Sequence, residues 1–136
     1  MARRMRILAV DDDENVVRLL QIYLGMRGYE VVPAYDGEAA LRQVAEQPPD
    51  LVLLDVIMPK ADGYEVLQRL KADPKTASIP VVMLTARSQF EDLRTSYDEG
   101  AYWHLGKPFH VAEVGQFVRD ILENVGRSAA APGKPC

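Results

Sequence analysis

Acidic, hydroxyl and basic side chains stand at the ends of four of the short apolar runs in this sequence. Asp11, Asp12 and Asp13 follow the first run, Asp55 follows the third, Thr85 the fourth, and Lys107 comes after the fifth. Neighbouring carboxylates repel one another, and a hard cation with oxygen ligands such as Mg²⁺ removes that repulsion. A hydroxyl and an ammonium group nearby would then hold phosphate oxygens. These residue types therefore predict a site for a divalent metal and a phosphate group.

The apolar runs have the pattern of strands that are buried on both faces of a parallel sheet, because they show little polar alternation. The fifth run is the weakest of the set, since aromatic residues make its assignment less certain. The five predicted strands are residues 7–10, 31–32, 51–54, 81–84 and 101–105.

Segments with helical periodicity lie between the apolar runs. In the first of them, apolar residues from Val16 to Leu24 repeat on one helix face, and Gly25 or Gly28 is expected to end the helix. The other predicted helices are residues 38–46 (opened by Asp36-Gly37), 63–72, 90–99 and a last one with apolar positions from 114 to 125.

Five strands that alternate with five helices predict an α/β fold, a doubly wound five-stranded parallel sheet with helices on both faces. In such sheets ligands bind beyond the carboxyl ends of the strands. We therefore expect the polar residues that follow the strands to meet at one edge of the sheet.

Size and composition bound the function. The 136 residues fit one domain, expected at residues 1–125, followed by a flexible tail or linker remnant at residues 126–136. A net charge of −4 provides no broad attraction for DNA or for an anionic membrane, so neither is expected as a ligand. The apolar runs are too short for a signal peptide or a membrane helix. The single cysteine, Cys136, fits a cytoplasmic location.

Each strand-end feature has an ordinary structural explanation when it is taken alone. The acidic run at residues 11–13 could simply cap a helix, and an Asp after a strand is often a turn residue. Four such features in the right order favour a functional site. A nucleotide hydrolase is excluded, since no G-x-x-x-x-G-K-[ST] motif occurs in the chain.

The ordered set of motifs resembles the receiver domain of bacterial two-component response regulators, and most closely a single-domain, chemotaxis-regulator-like receiver. The likeness extends from about Arg4 to Val125 and implies the strand order 2-1-3-4-5. The residues that carry it are Val10-Asp11-Asp12, Leu54-Asp55, Met58-Pro59, Asp62-Gly63, Val82-Met83-Leu84-Thr85-Ala86, Gly100-Ala101 and Lys107-Pro108-Phe109.

The resemblance implies a role for each acidic site residue. Asp55 would be the phosphoacceptor, the nucleophile that takes a phosphoryl group from a phosphohistidine. Asp12, Asp55 and the backbone carbonyl of Ile57 would ligate Mg²⁺, with Asp11 acting through water, and Mn²⁺ could substitute for Mg²⁺. Asp13 has no implied role beyond capping the first helix.

The resemblance also implies a switch. Lys107 would neutralise phosphoryl charge, and Thr85 would hydrogen-bond a phosphoryl oxygen and shift when the group arrives. His104 stands where the family usually has Tyr or Phe, and we expect it to be the side chain that swings inward as Thr85 moves. The surface of the fourth helix, fifth strand and fifth helix would then bind a partner.

The implied function is that of a phosphoacceptor receiver in a two-component phosphorelay, which is no conventional enzyme because it catalyses only its own phosphorylation and slow dephosphorylation. Its expected partners are a sensor histidine kinase or phosphotransfer protein and a downstream output protein or domain. The chain is expected to be a monomer or a phosphorylation-dependent dimer. It should bind no nucleic acid itself, since no helix-turn-helix follows residue 125. The alternative is a phosphorylation-independent pseudo-receiver that acts as a protein-binding module.

Overall fold

A computed structural model describes residues 4–55, 63–86, 103–107 and 110–127, with the backbone alone for residues 85–86, 103–107 and 124–127. Strands and helices alternate along this part of the chain. The strands are β1 (Arg6–Val10), β2 (Glu30–Ala34), β3 (Leu51–Asp55), β4 (Val81–Ala86) and β5 (Trp103–Lys107). The helices are α1 (Glu14–Met26), α2 (Gly37–Glu46), α3 (Gly63–Ala72) and α4 (Val111–Arg127). The predicted helix over residues 90–99 lies outside the described residues.

The five strands form one parallel sheet in the order β2-β1-β3-β4-β5, which confirms the fold class and the strand order. The chain leaves β1 towards β2 on one side and returns to β3 on the other side, so the strand order reverses between β1 and β3. Ligands of doubly wound sheets bind beyond the carboxyl ends of the strands at this position. Val10 of β1 pairs in register with Leu54 of β3, so both strands end at the same level.

Two hydrophobic layers hold the sheet. Alternate side chains of β1 and β3 face opposite layers, as the period of two along a strand requires. One layer packs against α2 and α3, and its buried strand residues are Leu8, Val10, Ala34, Val52, Leu54, Val81 and Met83. The other packs against α1 and α4, and its strand residues are Ile7, Ala9, Leu51, Leu53, Val82 and Leu84.

The ends of α1 follow from its flanking residues. Asp13 caps the start, since its side chain accepts the backbone N–H of Asn15. Gly28 ends the helix with a φ of 97°, a conformation that only glycine adopts without cost. The N–H of Tyr29 then donates to the carbonyl of Leu24, which satisfies the last turn in a Schellman arrangement. Of the two predicted stops, Gly28 is the one that the structure uses.

Several elements differ from the sequence prediction by a few residues, and β4, for example, continues through Ala86. β2 is longer than predicted and includes Pro33, which is tolerated because β2 is an edge strand. β5 begins at Trp103 and includes Lys107 as its last residue, two positions later than predicted at each end. α4 continues through Gly126 to Arg127. No helix in the described part of the chain is long and apolar enough to cross a membrane.

Candidate functional site

Asp11 is the first residue after β1 and lies where the carboxyl ends of the strands meet. Its N–H donates to the carbonyl of Ala34 at 3.1 Å, which extends the β1–β2 pairing by one step. Its side chain is buried, with 1% of the residue exposed, and Oδ1 accepts the N–H of Asp13 at 3.0 Å. A backbone donor therefore fixes this carboxylate at the carboxyl end of β1.

Asp12 and Asp13 turn the chain from β1 into α1. Asp12 is exposed. The Oδ1 atom of Asp13 accepts the N–H of Asn15 at 2.9 Å, so the predicted capping role is confirmed. The contact between the Asp13 N–H and Asp11 was not predicted, although an Asp two residues before a backbone donor is a known turn pattern. Asp13 thus caps the helix and its backbone orients a carboxylate of the site.

Asp55 is the last residue of β3, and its exposed fraction is 6%. It pairs in register with Leu84 of β4. Because Val10 and Leu54 form the last registered pair of β1 and β3, Asp11 and Asp55 each stand one residue beyond that pair. The topology predicted this meeting of two strand ends, and the structure brings the two residues together.

The carboxylates of Asp11, Asp12 and Asp55 converge. One carboxylate oxygen from each residue can be chosen so that all three lie within 4.8 Å of one another. All three residues offer hard oxygen donors, and two of them are buried while one is exposed. This arrangement suits Mg²⁺, which binds through carboxylates and keeps several waters. The donor set therefore fits the metal that the sequence predicted.

The backbones of Thr85 and Lys107 reach the same edge of the sheet. Thr85 follows Leu84, the partner of Asp55, and Lys107 pairs in register with Ala86. His104 lies further back along β5, in register with Met83. The side chains of these three residues are outside the described part of the chain, and so is Ile57 altogether, which leaves their predicted roles untested.

Comparisons with known proteins place the chain among regulators of two-component systems. Residues 7–119 match the family model described as the response regulator receiver domain. The chain is 44% identical over 122 residues to the DNA-binding dual master transcriptional regulator RpaA of a Synechocystis strain, a match that covers 90% of this chain and 51% of RpaA. The chain thus spans about half the length of the curated relatives that it matches.

Solved structures agree with the fold. A response regulator from Chloroflexus aurantiacus is similar with a TM-score of 0.84 at 36% identity, covering 89% of this chain and 99% of that one. The receiver domain of a signal transduction histidine kinase from Syntrophus aciditrophicus is similar with a TM-score of 0.84 at 31% identity, covering 95% and 98%. With this fold, this acidic site and these matches, the chain belongs to the response regulator receiver domain family.

Proposed function

We propose that this chain accepts a phosphoryl group on Asp55, at a divalent-metal site, from a phosphohistidine of a sensor histidine kinase or phosphotransfer protein. The observation that carries the proposal is the convergence of Asp11, Asp12 and Asp55 within 4.8 Å at the ends of β1 and β3. Like charges in contact are costly for folding, and clusters of this kind are typical of functional sites.

In the transfer, a carboxylate oxygen of Asp55 attacks the phosphorus atom of the phosphohistidine. The new O–P bond forms as the N–P bond breaks, and the bonding electron pair returns to the imidazole. Asp12, Asp55 and the backbone carbonyl of Ile57 would hold the divalent ion, with Asp11 acting through water, and the bound ion would offset the negative charge of the site. Lys107 neutralises the phosphoryl oxygens.

The chain acts on itself and is no conventional enzyme. Positioning and electrostatics account for the catalysis, as is general for phosphoryl transfer. Ile57, two residues after Asp55, is apolar and cannot orient a water molecule for attack on the acyl phosphate, which favours a modification that lasts long enough to signal. Slow hydrolysis at the same site resets the protein.

Three exposed apolar residues form a stripe on one face of α1, and this stripe supports the docking of a helical partner for phosphoryl transfer. Leu19, Ile22 and Met26 lie on one helix face with exposed fractions of 48%, 57% and 83%. A cluster of exposed apolar side chains marks an interaction surface, and an apolar stripe fits the groove of a helical partner. Because α1 starts beside Asp11 and Asp12, a protein bound to this stripe would lie close to the phosphoacceptor.

The output follows from the switch residues. Thr85 bonds the phosphoryl oxygen and moves, and His104 follows it inward, which changes the surface offered to a downstream output protein or domain. The curated relatives described above are transcriptional regulators, and we propose that this chain controls such an output. The chain works in the cytoplasm as a monomer or as a phosphorylation-dependent dimer. The His104→Ala variant is expected to lose phosphorylation-dependent partner binding, and unchanged binding would contradict the switch role.

Intact-mass measurement tests the phosphoacceptor proposal. Incubation with a small phosphodonor and Mg²⁺ is expected to add one phosphoryl group, and EDTA is expected to prevent it. Asp12→Ala should weaken metal binding, so that labelling needs more Mg²⁺, and Glu46→Ala, which removes an exposed carboxylate outside the site, should change nothing. Absence of any added mass with either a kinase or a small donor would favour the phosphorylation-independent pseudo-receiver.

The stripe on α1 is tested by comparing two donors. Ile22→Lys is expected to slow transfer from the cognate kinase at least about tenfold, the loss of one good apolar anchor, and to leave labelling by the small phosphodonor unchanged. Gln68→Lys on α3 adds the same charge to another exposed position and should affect neither reaction. Equal rates for Ile22→Lys and the parent would remove α1 from the docking surface.

A further inference from the structure

A cleft lies between α1 and α4, on the solvent side of the hydrophobic layer that those two helices cover. Its volume is about 440 Å³, within the usual range for a small-molecule site. The side chains that line it include Tyr23, Arg27, Tyr29, Arg119 and Glu123. None of these residues belongs to the acidic edge of the sheet, so the cleft is separate from the Asp55 site.

Gly115 shapes the wall of this cleft. A Cβ atom at position 115 would lie 2.6 Å from Cε2 of Tyr23, closer than real side chains approach one another. Glycine at this position therefore lets the ring of Tyr23 pack directly against the backbone of α4. The ring of Tyr23 forms one wall of the cleft, which polar side chains also line.

The cleft carries positive charge in a chain whose net charge is negative. Two arginines and one glutamate line it, in contrast to the net charge of −4 for the whole chain. Arg27 lies over the ring of Tyr23 at 4.8 Å from its centroid and donates one hydrogen bond to the Tyr23 hydroxyl. That contact orients the guanidinium and leaves most of its N–H groups for other acceptors.

Arg119 is only weakly engaged by the protein. Its Nε donates to Glu123 at 3.2 Å, and both side chains are about half exposed or more, at 66% and 47%. Pairs of this kind contribute little to stability because water screens them. Arg119 can therefore turn towards an anion that enters the cleft.

The hydroxyl of Tyr29 is a third hydrogen-bond donor in the cleft, beside the two arginines. Burial raises the pKa of Tyr29 and the carboxylate of Glu123 acts in the same direction, while Arg119 and Arg27 act on the same hydroxyl in the opposite direction. Both guanidinium groups line the same cleft as this hydroxyl, which in its neutral form can donate a hydrogen bond. Planar guanidinium groups match the geometry of carboxylate and phosphate oxygens, and a phenol adds a third direction of contact.

We propose that the cleft between α1 and α4 binds a small organic anion through a phosphate or carboxylate group held by Arg27, Arg119 and Tyr29. The site is independent of the phosphoacceptor, and its occupation would bridge the two helices that cover one face of the sheet.

The test is a titration of the full chain followed by the backbone amide signals in NMR spectra, in buffer freed of divalent metal by a chelating resin and at constant ionic strength. Removal of the metal ensures that no divalent ion draws anions to Asp55, and the resin leaves no soluble chelator to compete for the cleft. Inorganic phosphate is one probe and succinate is the other, which separates the phosphate from the carboxylate class. Saturable shifts at the end of α1, at Tyr29 and along α4 are expected with at least one probe, in the millimolar range or tighter.

Matched variants decide whether the cleft is responsible. Arg27→Gln and Arg119→Gln are each expected to weaken binding about tenfold, the loss of one charge-assisted hydrogen bond. Glu123→Gln is expected to tighten it. Arg69→Gln is the control, because Arg69 forms the same type of exposed pair with Glu65 at 3.2 Å on α3. Failure of both probes to saturate, or equal weakening by Arg69→Gln and Arg119→Gln, would overturn the proposal.

Discussion

The two ends of the parallel strands carry their charges in different arrangements. At the amino ends, opposite charges pair: Arg6 and Glu30 are 3.2 Å apart, and Asp50 accepts the N–H of Arg6 at 2.7 Å. At the carboxyl ends, two carboxylates from the loop after β1 and one from the end of β3 gather within 4.8 Å of one another.

The difference teaches which end serves stability and which serves function. Opposite charges and satisfied backbone groups at the amino ends hold the strands in register. Three like charges at the carboxyl ends act against folding, and such a local conflict is expected where a protein binds a ligand.

Asp50 is expected to be the most sensitive charged residue at the amino ends. Its side chain accepts the Arg6 N–H, and its own N–H donates to the Arg6 carbonyl at 2.7 Å. Asp50→Ala should lower the free energy of unfolding by about 1.5–3 kcal/mol, the scale for a hydrogen bond to a charged group. Urea denaturation measures it. Asp50→Asn keeps an acceptor and should cost less, so equal losses for both variants would count against this bond.

Gly28 is expected to matter through its backbone alone. With a φ of 97° it allows α1 to end and β2 to begin. Gly28→Ala should destabilise by about 1–2 kcal/mol, because a Cβ is unfavourable in the left-handed region. Gly25→Ala is the control, since it adds the same atom where nothing lies within 4 Å, and it should be neutral or stabilising. Losses of the same size in both variants would contradict the explanation.

Asp12 should show the opposite behaviour at the carboxyl ends. In EDTA, Asp12→Asn is expected to raise the free energy of unfolding by up to about 1 kcal/mol, because it removes one of three clustered charges. With Mg²⁺ added, the parent should become the more stable protein, since binding to the folded state stabilises it. Glu46→Gln, an exposed carboxylate on α2, should respond equally with and without the metal. If Asp12→Asn changed the free energy of unfolding equally with and without Mg²⁺, the difference in role between the two ends of the strands would be contradicted.

Lys71 gives the smallest predicted effect, and it depends on pH. Its Nζ donates to the carbonyls of Ala77 and Ile79, just before β4, and burial lowers its pKa from 10.5. The folded chain therefore releases this proton before the unfolded chain does. Stability from this group should rise with pH between the lowered pKa and 10.5. Lys71→Met should lack that rise in urea denaturation series, and parallel pH profiles for the two proteins would contradict the assignment.

Much of the fold could be predicted because strong local patterns coincided with buried elements. The run at residues 51–54 is buried throughout, and α3 begins and ends at the predicted residues. The weaker boundaries failed where tertiary context decides. Pro33 is compatible with a strand only because β2 is at the sheet edge, and Gly126 is tolerated near the end of a long helix.

The acidic site was predictable for a topological reason. Parallel strands end at one edge, so Asp11 and Asp55 could be brought together from their positions after two apolar runs. The cleft between α1 and α4 could not be predicted, since it depends on the contact between Tyr23 and Gly115, which are far apart in sequence. No pattern in the local sequence predicts a contact between two residues so far apart.

The most direct test of the central claim is to locate the phosphoryl group on the chain. After incubation with a phosphodonor and Mg²⁺, borohydride reduction converts an acyl phosphate on Asp to homoserine, which peptide sequencing by mass spectrometry identifies. We predict homoserine at position 55 in the parent and nowhere in the Asp55→Asn variant. Homoserine at another aspartate, or labelling that persists at full level in Asp55→Asn, would contradict the account.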